Sequence, residues 1–348
     1  MWISHGCFLV LLTVFCLLTA SCQATEVQTW RVSDPSYVPF TVTEMAVSAD
    51  NRFVGLTVDE RANTNNPVTS SQLNGYVLDL KTGEHRKIGH GNSMLLPTPG
   101  APGHEFLYYD SEDSPILLLD GLQTARSFEI GRHSGGWWNR KNRLAIFATA
   151  WPNDREGFNA IALLNTISGE IVRVRLNQPT ELLTICPTTG KFYTESSHPN
   201  SESDADEYDS TGVFIRHLMS PLVVYSASCR YVVPFAALSP HGPDDWAAFE
   251  SSSGSKLMDF PWSDEGKTEN HLFSAWNPRR DNLLLIHSQL PGNQVWTNDV
   301  VDLEQRTIVK RWADSGAPVI WSGDGAAMIT IRDHHIIFEQ SIAGVLKD

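Results

Sequence analysis

Histidine is the side chain that titrates, transfers protons and binds metals most readily near neutral pH. The chain carries 12 of them. His90, His133 and His271 fall where one β-rich run hands over to the next group of runs. His198, His241, His287, His334 and His335 follow the second run of a group, whereas His85, His104 and His217 lie elsewhere. Three imidazoles pointing into one funnel can hold a divalent metal. The expected set is His90, His133 and His271, with nearby carboxylates completing the shell. Such a metal would act as a Lewis acid or generate a hydroxide. Asn92, Asn270, His287, Asp314 and His334 complete the expected ligand-binding set, and Glu269 sits on the same kind of link. Catalysis would need at least three of His90, His133, His271, His287 and His334 within coordinating reach. The alternative is that these histidines are polar loop content. No nucleophile, general base or organic cofactor can be assigned.

Other residues offer weaker chemistry. In the stretch 198–211, HPNSESDADEYDST, Asp204, Asp206 and Asp209 approach the alternating oxygen ligands of a calcium loop. The glycine and terminal glutamate of that loop are missing, so a solvated acidic loop is expected. Asp110, Glu112 and Asp113 form a second acidic cluster, and together the two predict a negative rim. Cys186 and Cys229 fall near equivalent ends of neighbouring runs. They would either form a disulfide or remain two buried small hydrophobes. Trp137 and Trp151 could line a carbohydrate or peptide cleft.

The elements that must position these residues are repeats. A short word recurs: an apolar residue, then a small or polar one, a polar turn, and a β-rich run. It begins at Val47, Leu96, Trp138, Cys186, Tyr225, Trp276 and Trp321, with a mean spacing of about 46 residues. Most copies contain four β-rich runs, and long helical periodicity is absent. Four strands in a unit of about 46 residues is the signature of a propeller blade. An all-β, seven-bladed β-propeller of four-stranded blades is therefore expected, with a pair of two-sheet sandwiches as the alternative. The last copy supplies only three runs. The segment 27–40 would lend the missing outer strand and close the ring. Trp138, Trp276 and Trp321 would then pack blade against blade.

The word Trp-Ser/Asn-x-Asp/x-Gly before an aliphatic run resembles the repeat of TolB-like (WD40-like, PD40-type) β-propellers. Trp321-Ser322-Gly323-Asp324-Gly325 carries the resemblance best, followed by Val47-Ser48-Ala49-Asp50-Asn51-Arg52. The resemblance covers about residues 40–340 and weakens at LPTPGAPGHE and YSASCR, which lack the Asp-Gly. It implies architecture rather than activity. Some propeller lyases of the pectin-degrading type use a His-rich channel mouth. The likeness to them is architectural, and no catalytic motif matches residue by residue. No hydrolase domain follows, and Gly-x-Ser-x-Gly is absent.

At the N-terminus, 8–20 form one apolar run, FLVLLTVFCLLTA, shorter than the ~20 residues a spanning helix needs. It reads as the core of a signal peptide over 1–22, followed by a propeller domain over 25–345. Thr19-Ala20-Ser21-Cys22 resembles a bacterial lipobox, which would lipidate Cys22, and plain cleavage nearby is the alternative. The expected location is extracytoplasmic: periplasmic, secreted or lipid-anchored to the envelope. The 40 Asp and Glu outnumber 26 Lys and Arg, giving a formal charge of −14. That excess argues against nucleic acid as a partner. The expected protein is a monomeric binding or scaffold module showing a His-rich, acidic face to a protein, peptide or glycan. It would touch a membrane only through a lipid anchor. The alternative is a metal-dependent lyase or hydrolase at the mouth of the central channel.

Overall fold

The computed structural model describes residues 29–31, 41–59, 73–90, 103–139, 143–152, 157–176, 180, 183–196, 204–218, 223–234, 247–259, 273–289, 296–314, 319–332 and 335–340. All regular structure among them is β-strand. No helix there is long and apolar enough to cross a membrane. The first four-stranded sheet comprises β2 (Thr41–Val47), β3 (Phe53–Asp59), β4 (Leu73–Asp79) and β5 (His85–His90). A three-stranded sheet follows, with β6 (Glu105–Tyr108), β7 (Ile116–Asp120) and β8 (Gln123–Phe128). Next come β9 (His133–Asn139), β10 (Leu144–Thr149), β11 (Ala160–Asn165) and β12 (Ile171–Arg175). The fourth sheet holds β13 (Leu183–Ile185), β14 (Phe192–Ser196), β15 (Asp204–Tyr208) and β16 (Phe214–Leu218). The fifth holds β17 (Val223–Tyr225), β18 (Tyr231–Pro234), β19 (Ala247–Glu250) and β20 (Lys256–Asp259). The sixth holds β21 (Phe273–Trp276), β22 (Leu283–Gln289), β23 (Trp296–Asp302) and β24 (Thr307–Asp314). The final blade is β25 (Val319–Trp321), β26 (Ala327–Arg332) and β27 (His335–Gln340), completed by β1 (Thr29–Arg31). Thr29 pairs with Ile337 and Arg31 with His335, so the chain's first described strand is the outer strand of its last blade.

The expected seven-bladed ring of four-stranded blades is corrected: among the described residues six blades are four-stranded, and β6 to β8 form a three-stranded sheet. The sequence before β6, LLPTPGAPG, carries Pro97, Pro99 and Pro102. Proline lacks the N–H that a paired strand must donate, which disfavours it in a sheet interior.

The repeat word is a turn with a mechanism. Ser48, Ser226 and Ser322 each donate the backbone N–H to the carbonyl of the residue five places on, at 2.9 Å in all three. Each hydroxyl oxygen accepts the return bond from that residue's N–H, from Phe53 (2.9 Å), Tyr231 (3.1 Å) and Ala327 (2.9 Å). In two copies the hydroxyl also donates to the following aspartate, Asp50 or Asp324. The fourth turn position is left-handed, with φ of 60° at Asn51, 64° at Cys229 and 69° at Gly325. That conformation explains the Asp-Gly preference.

A second turn, between third and fourth strands, is capped by an Asx side chain. Asp79 Oδ1 accepts from Lys81 and Thr82, Asn165 Oδ1 from Ile167 and Ser168, and Asp302 Oδ1 from Glu304 and Gln305. In an antiparallel blade both kinds of turn lie at the same end of the strands, so they share one face.

Blades are glued by apolar side chains. Leu107, Ile116, Trp138 and Phe147 join the β6–β8 sheet to the β9–β12 blade. Ile146, Ile161, Phe192 and Tyr208 join that blade to the next. Turns also bond across blades: Asn277 Nδ2 donates to Gly325 O (2.9 Å), and Gly323 N to Asn51 Oδ1 (2.6 Å). Trp276 and Trp321 donate their indole N–H to Val224 O (3.2 Å) and Ala275 O (2.8 Å) of the preceding blade's first strand.

Candidate functional site

The histidines are best understood by what faces them across the strands. His287 on β22 is opposite Asn298 on β23, and His90 on β5 is opposite Asn74 on β4. His217 on β16 is opposite Asp206 on β15. In each pair the imidazole Nδ1 is within bonding distance of the partner's Oδ1: 2.6 Å, 2.7 Å and 2.9 Å. A carbonyl or carboxylate oxygen can only accept, so Nδ1–H donates. The buried His287 ring also stacks on Trp296, with centroids 4.5 Å apart and planes within 7°.

His133 is different. It opens β9 and is fully buried. Its Nδ1 donates to Gly131 O at 2.8 Å, which leaves Nε2 with a bare lone pair. Nε2 is buried without a hydrogen-bond partner. Tyr109 and Phe147 present ring edges to the imidazole at 4.7 and 5.7 Å. Burial pushes the His133 pKa below its ordinary value, with Gly131 O, Asp113 and Glu112 opposing weakly. The ring is therefore neutral near pH 7.

The rest of the expected set divides by location. Asp314 ends β24, paired in register with Trp296 on β23. Asn92, His198, His241, Glu269, Asn270, His271 and His334 lie outside the described residues, as does Cys22. No group of three His, Cys, Asp or Glu stands within reach of one metal ion among the described residues. Of the expected metal set, His90, engaged by Asn74, and His133 are described, whereas His271 is not. The described residues do not assemble a metal site.

The acidic stretch expected to be a loop is corrected. Asp204–Tyr208 is a strand, β15, paired on both sides. Ala205, Glu207 and Tyr208 are buried. Glu207 accepts from Lys191 Nζ (2.9 Å), Arg216 Nε (2.6 Å) and Tyr193 Oη (3.3 Å). Burial pulls the Glu207 carboxyl upward, but the bonds from Lys191 and Arg216 outweigh it and hold it below the usual range. Asp206 faces His217, and Asp209 caps the following turn through Thr211 and Val213. These oxygens serve the frame rather than a calcium ion. The signal the sequence offered was the two-residue alternation of Ala205 and Glu207, with Lys191 and Arg216 near enough to neutralise the acid. In the second acidic cluster, Asp110 accepts from the Tyr108 hydroxyl and Glu112 pairs with Arg132 at 3.0 Å.

Cys186 and Cys229 are joined by a disulfide with a Cα–Cα distance of 5.6 Å. It ties the turn after β13 to the turn after β17, where Thr188 Oγ1 also donates to Ala227 O at 3.0 Å. Trp138 is buried in the junction of the β6–β8 and β9–β12 sheets. Trp137 packs against the junction beyond β12, and Trp151 lies under the Arg175 guanidinium at 5.6 Å.

No protein-family profile and no curated relative matches the chain in sequence. Solved structures match its shape. Oligogalacturonate lyase in complex with manganese superposes with a TM-score of 0.56 at 13% identity, over 93% of this chain and 96% of that one. The Pan2 WD40 domain of Neurospora crassa gives 0.53 at 9% identity, over 90% and 95%. A chain of the Mitotic Checkpoint Complex gives 0.53 at 9% identity, over 90% and 93%. At such identities the likeness concerns the fold alone. The molecule is a β-propeller, a fold that WD40 domains and a lyase both use.

Proposed function

We propose that the chain is an exported propeller of the TolB-like kind that binds a protein, peptide or glycan partner as a monomer. In this reading the 1–22 segment directs export, and Cys22 either carries a lipid anchor or is removed with the signal. The observation that carries the proposal is the engagement of His90, His217 and His287 by Asn74, Asp206 and Asn298. Imidazoles held across strands finish the frame and leave function to the surface the frame displays. The net charge of −14 favours a cationic or neutral partner and disfavours nucleic acid. The mitotic-checkpoint neighbour lends analogy, since that propeller is part of a protein complex. The test immobilises the full chain and passes envelope extract and a glycan array over it. Saturable capture, competed by free chain, is expected. Absence of any competed ligand contradicts the proposal.

The second reading is a metal-dependent lyase or hydrolase at the channel mouth. The unpartnered Nε2 of His133 and the fold shared with a manganese-bound lyase favour it. Metal-dependent cleavage of acidic polysaccharide, lost in a His133→Ala/His271→Ala variant, would establish it instead.

A further inference from the structure

The blade β9–β12 breaks a pattern set by its predecessors. On β5, Arg86 lies opposite Val77, two residues before the turn-capping Asp79. It reaches the next sheet's turn, donating to Leu122 O at 2.8 Å. On β8, Arg126 lies opposite Leu118, two residues before Asp120. It donates to Thr166 O at 3.0 Å and to Ile167 O. The equivalent position on β12, opposite Leu163 and two residues before Asn165, is Val172. No guanidinium can clamp the next turn from there. That turn instead rests Gly212 directly on Val174, where a Cβ would fall 2.1 Å from Val174 Cγ2.

Among the described residues the result is an exposed apolar mouth between two blades. Val172 is 44% exposed, Val213 61% and Phe214 49%. Phe214 meets Tyr208 edge-on at 5.7 Å, and Tyr208 belongs to the cluster joining these blades. Phe214 therefore faces β12. Every exposed large hydrophobic among the described residues lies on β12, β16 or the turns leading into them.

β12 is also the outermost strand of its blade, and among the described residues only β11 pairs with it. Its free backbone edge is a template for another strand. Side chains alternate across a strand, so its two faces differ. Val172 and Val174 face the apolar mouth. Arg173 and Arg175 face the other way, where Arg173 donates to Ile130 O at 3.0 Å and the exposed Arg175 covers Trp151. These cations stand out on a chain of charge −14.

We propose that β12 receives an extended segment of a partner protein in which apolar and acidic side chains alternate. Its apolar residues would enter the mouth lined by Val172, Val174 and Phe214. Its carboxylates would meet Arg173 and Arg175. The proposal rests on the binding reading above and gives it a location and a partner chemistry.

The test pans a phage-displayed library of random 12-residue peptides against the full chain. Val172→Arg serves as the counter-target, since it supplies the side chain that the preceding sheets already carry at this position and so leaves folding intact. Enriched peptides should alternate apolar and acidic residues and bind Val172→Arg about tenfold more weakly or worse. Peptides binding both forms equally would overturn the β12 site while leaving the binding reading standing. Recovery of no peptide, together with no competed ligand in the capture experiment, would overturn both. A dimer that Val172→Arg disperses would replace the foreign segment with a second copy.

Discussion

Two junctions between neighbouring sheets solve the same packing problem differently. Between β6–β8 and β9–β12 the contact is apolar and aromatic: Trp138, Phe147 and Tyr109 surround His133, whose Nε2 has no partner. Between β13–β16 and β17–β20 the contact is polar and covalent. Tyr193 stacks on Tyr225 at 5.0 Å and the Cys186–Cys229 bond closes the turn side, while Glu207 gathers Lys191 and Arg216 within the β13–β16 sheet beside that stack. That second junction has a small apolar cluster, built on Cys186, Tyr193 and Ala205. Where a blade cannot offer enough apolar area, charge pairing and a cross-link supplement it. Where apolar area is ample, a buried polar atom can be left unsatisfied and the fold still holds.

The comparison can be broken at each end. The largest effect should come from the cross-link. Replacing Cys186 and Cys229 by Ser frees a loop with a sequence separation of 43. On a chain-entropy basis that should cost about 4 kcal/mol in denaturant unfolding. A loss below about 1 kcal/mol would show that the polar contacts alone hold the junction.

The next effect concerns paired histidine. His287→Phe keeps a ring to stack on Trp296 but deprives the buried Asn298 Oδ1 of its Nδ1–H donor. A loss of about 1–3 kcal/mol is expected in the same assay.

His133→Phe should do far less, within about 0.5 kcal/mol near pH 7, because it removes an orphaned acceptor along with one bond to Gly131. Its signature lies in pH dependence. The folded-state pKa of His133 is depressed, so the unfolded chain binds the proton more readily. Wild-type stability should then fall as pH drops below about 6.5, the ordinary histidine value. His133→Phe should flatten that portion of the curve. An unchanged slope would place the titration elsewhere.

Much of this was legible in the sequence, for a physical reason. The repeat word is a local device: a serine hydroxyl, an aspartate and a left-handed residue within six positions. Ser322 to Ala327 therefore shows itself without any tertiary knowledge. Trp276 and Trp321 were readable as blade packing because the same word carries them. The acidic strand β15 was hard to read, because its one signal, the alternation of Ala205 and Glu207, carries weight only once Lys191 and Arg216 are known to neutralise the buried acid. Asp204 and Asp206 looked like a solvated loop until their cross-strand partners were known. The partners of the histidines were also hidden. Placement near strand ends points to a funnel, and only the fold shows that His90 and His287 bond across strands to Asn74 and Asn298, 16 and 11 residues away.

The central claim is that the described histidines complete the frame of a binding propeller rather than hold a catalytic metal. Elemental analysis of the untagged chain, purified without chelator, tests it most directly. The account predicts no transition metal at stoichiometric level. One mole of metal per mole of chain, lost in His133→Ala/His271→Ala, would contradict it and establish the channel mouth as a metal centre.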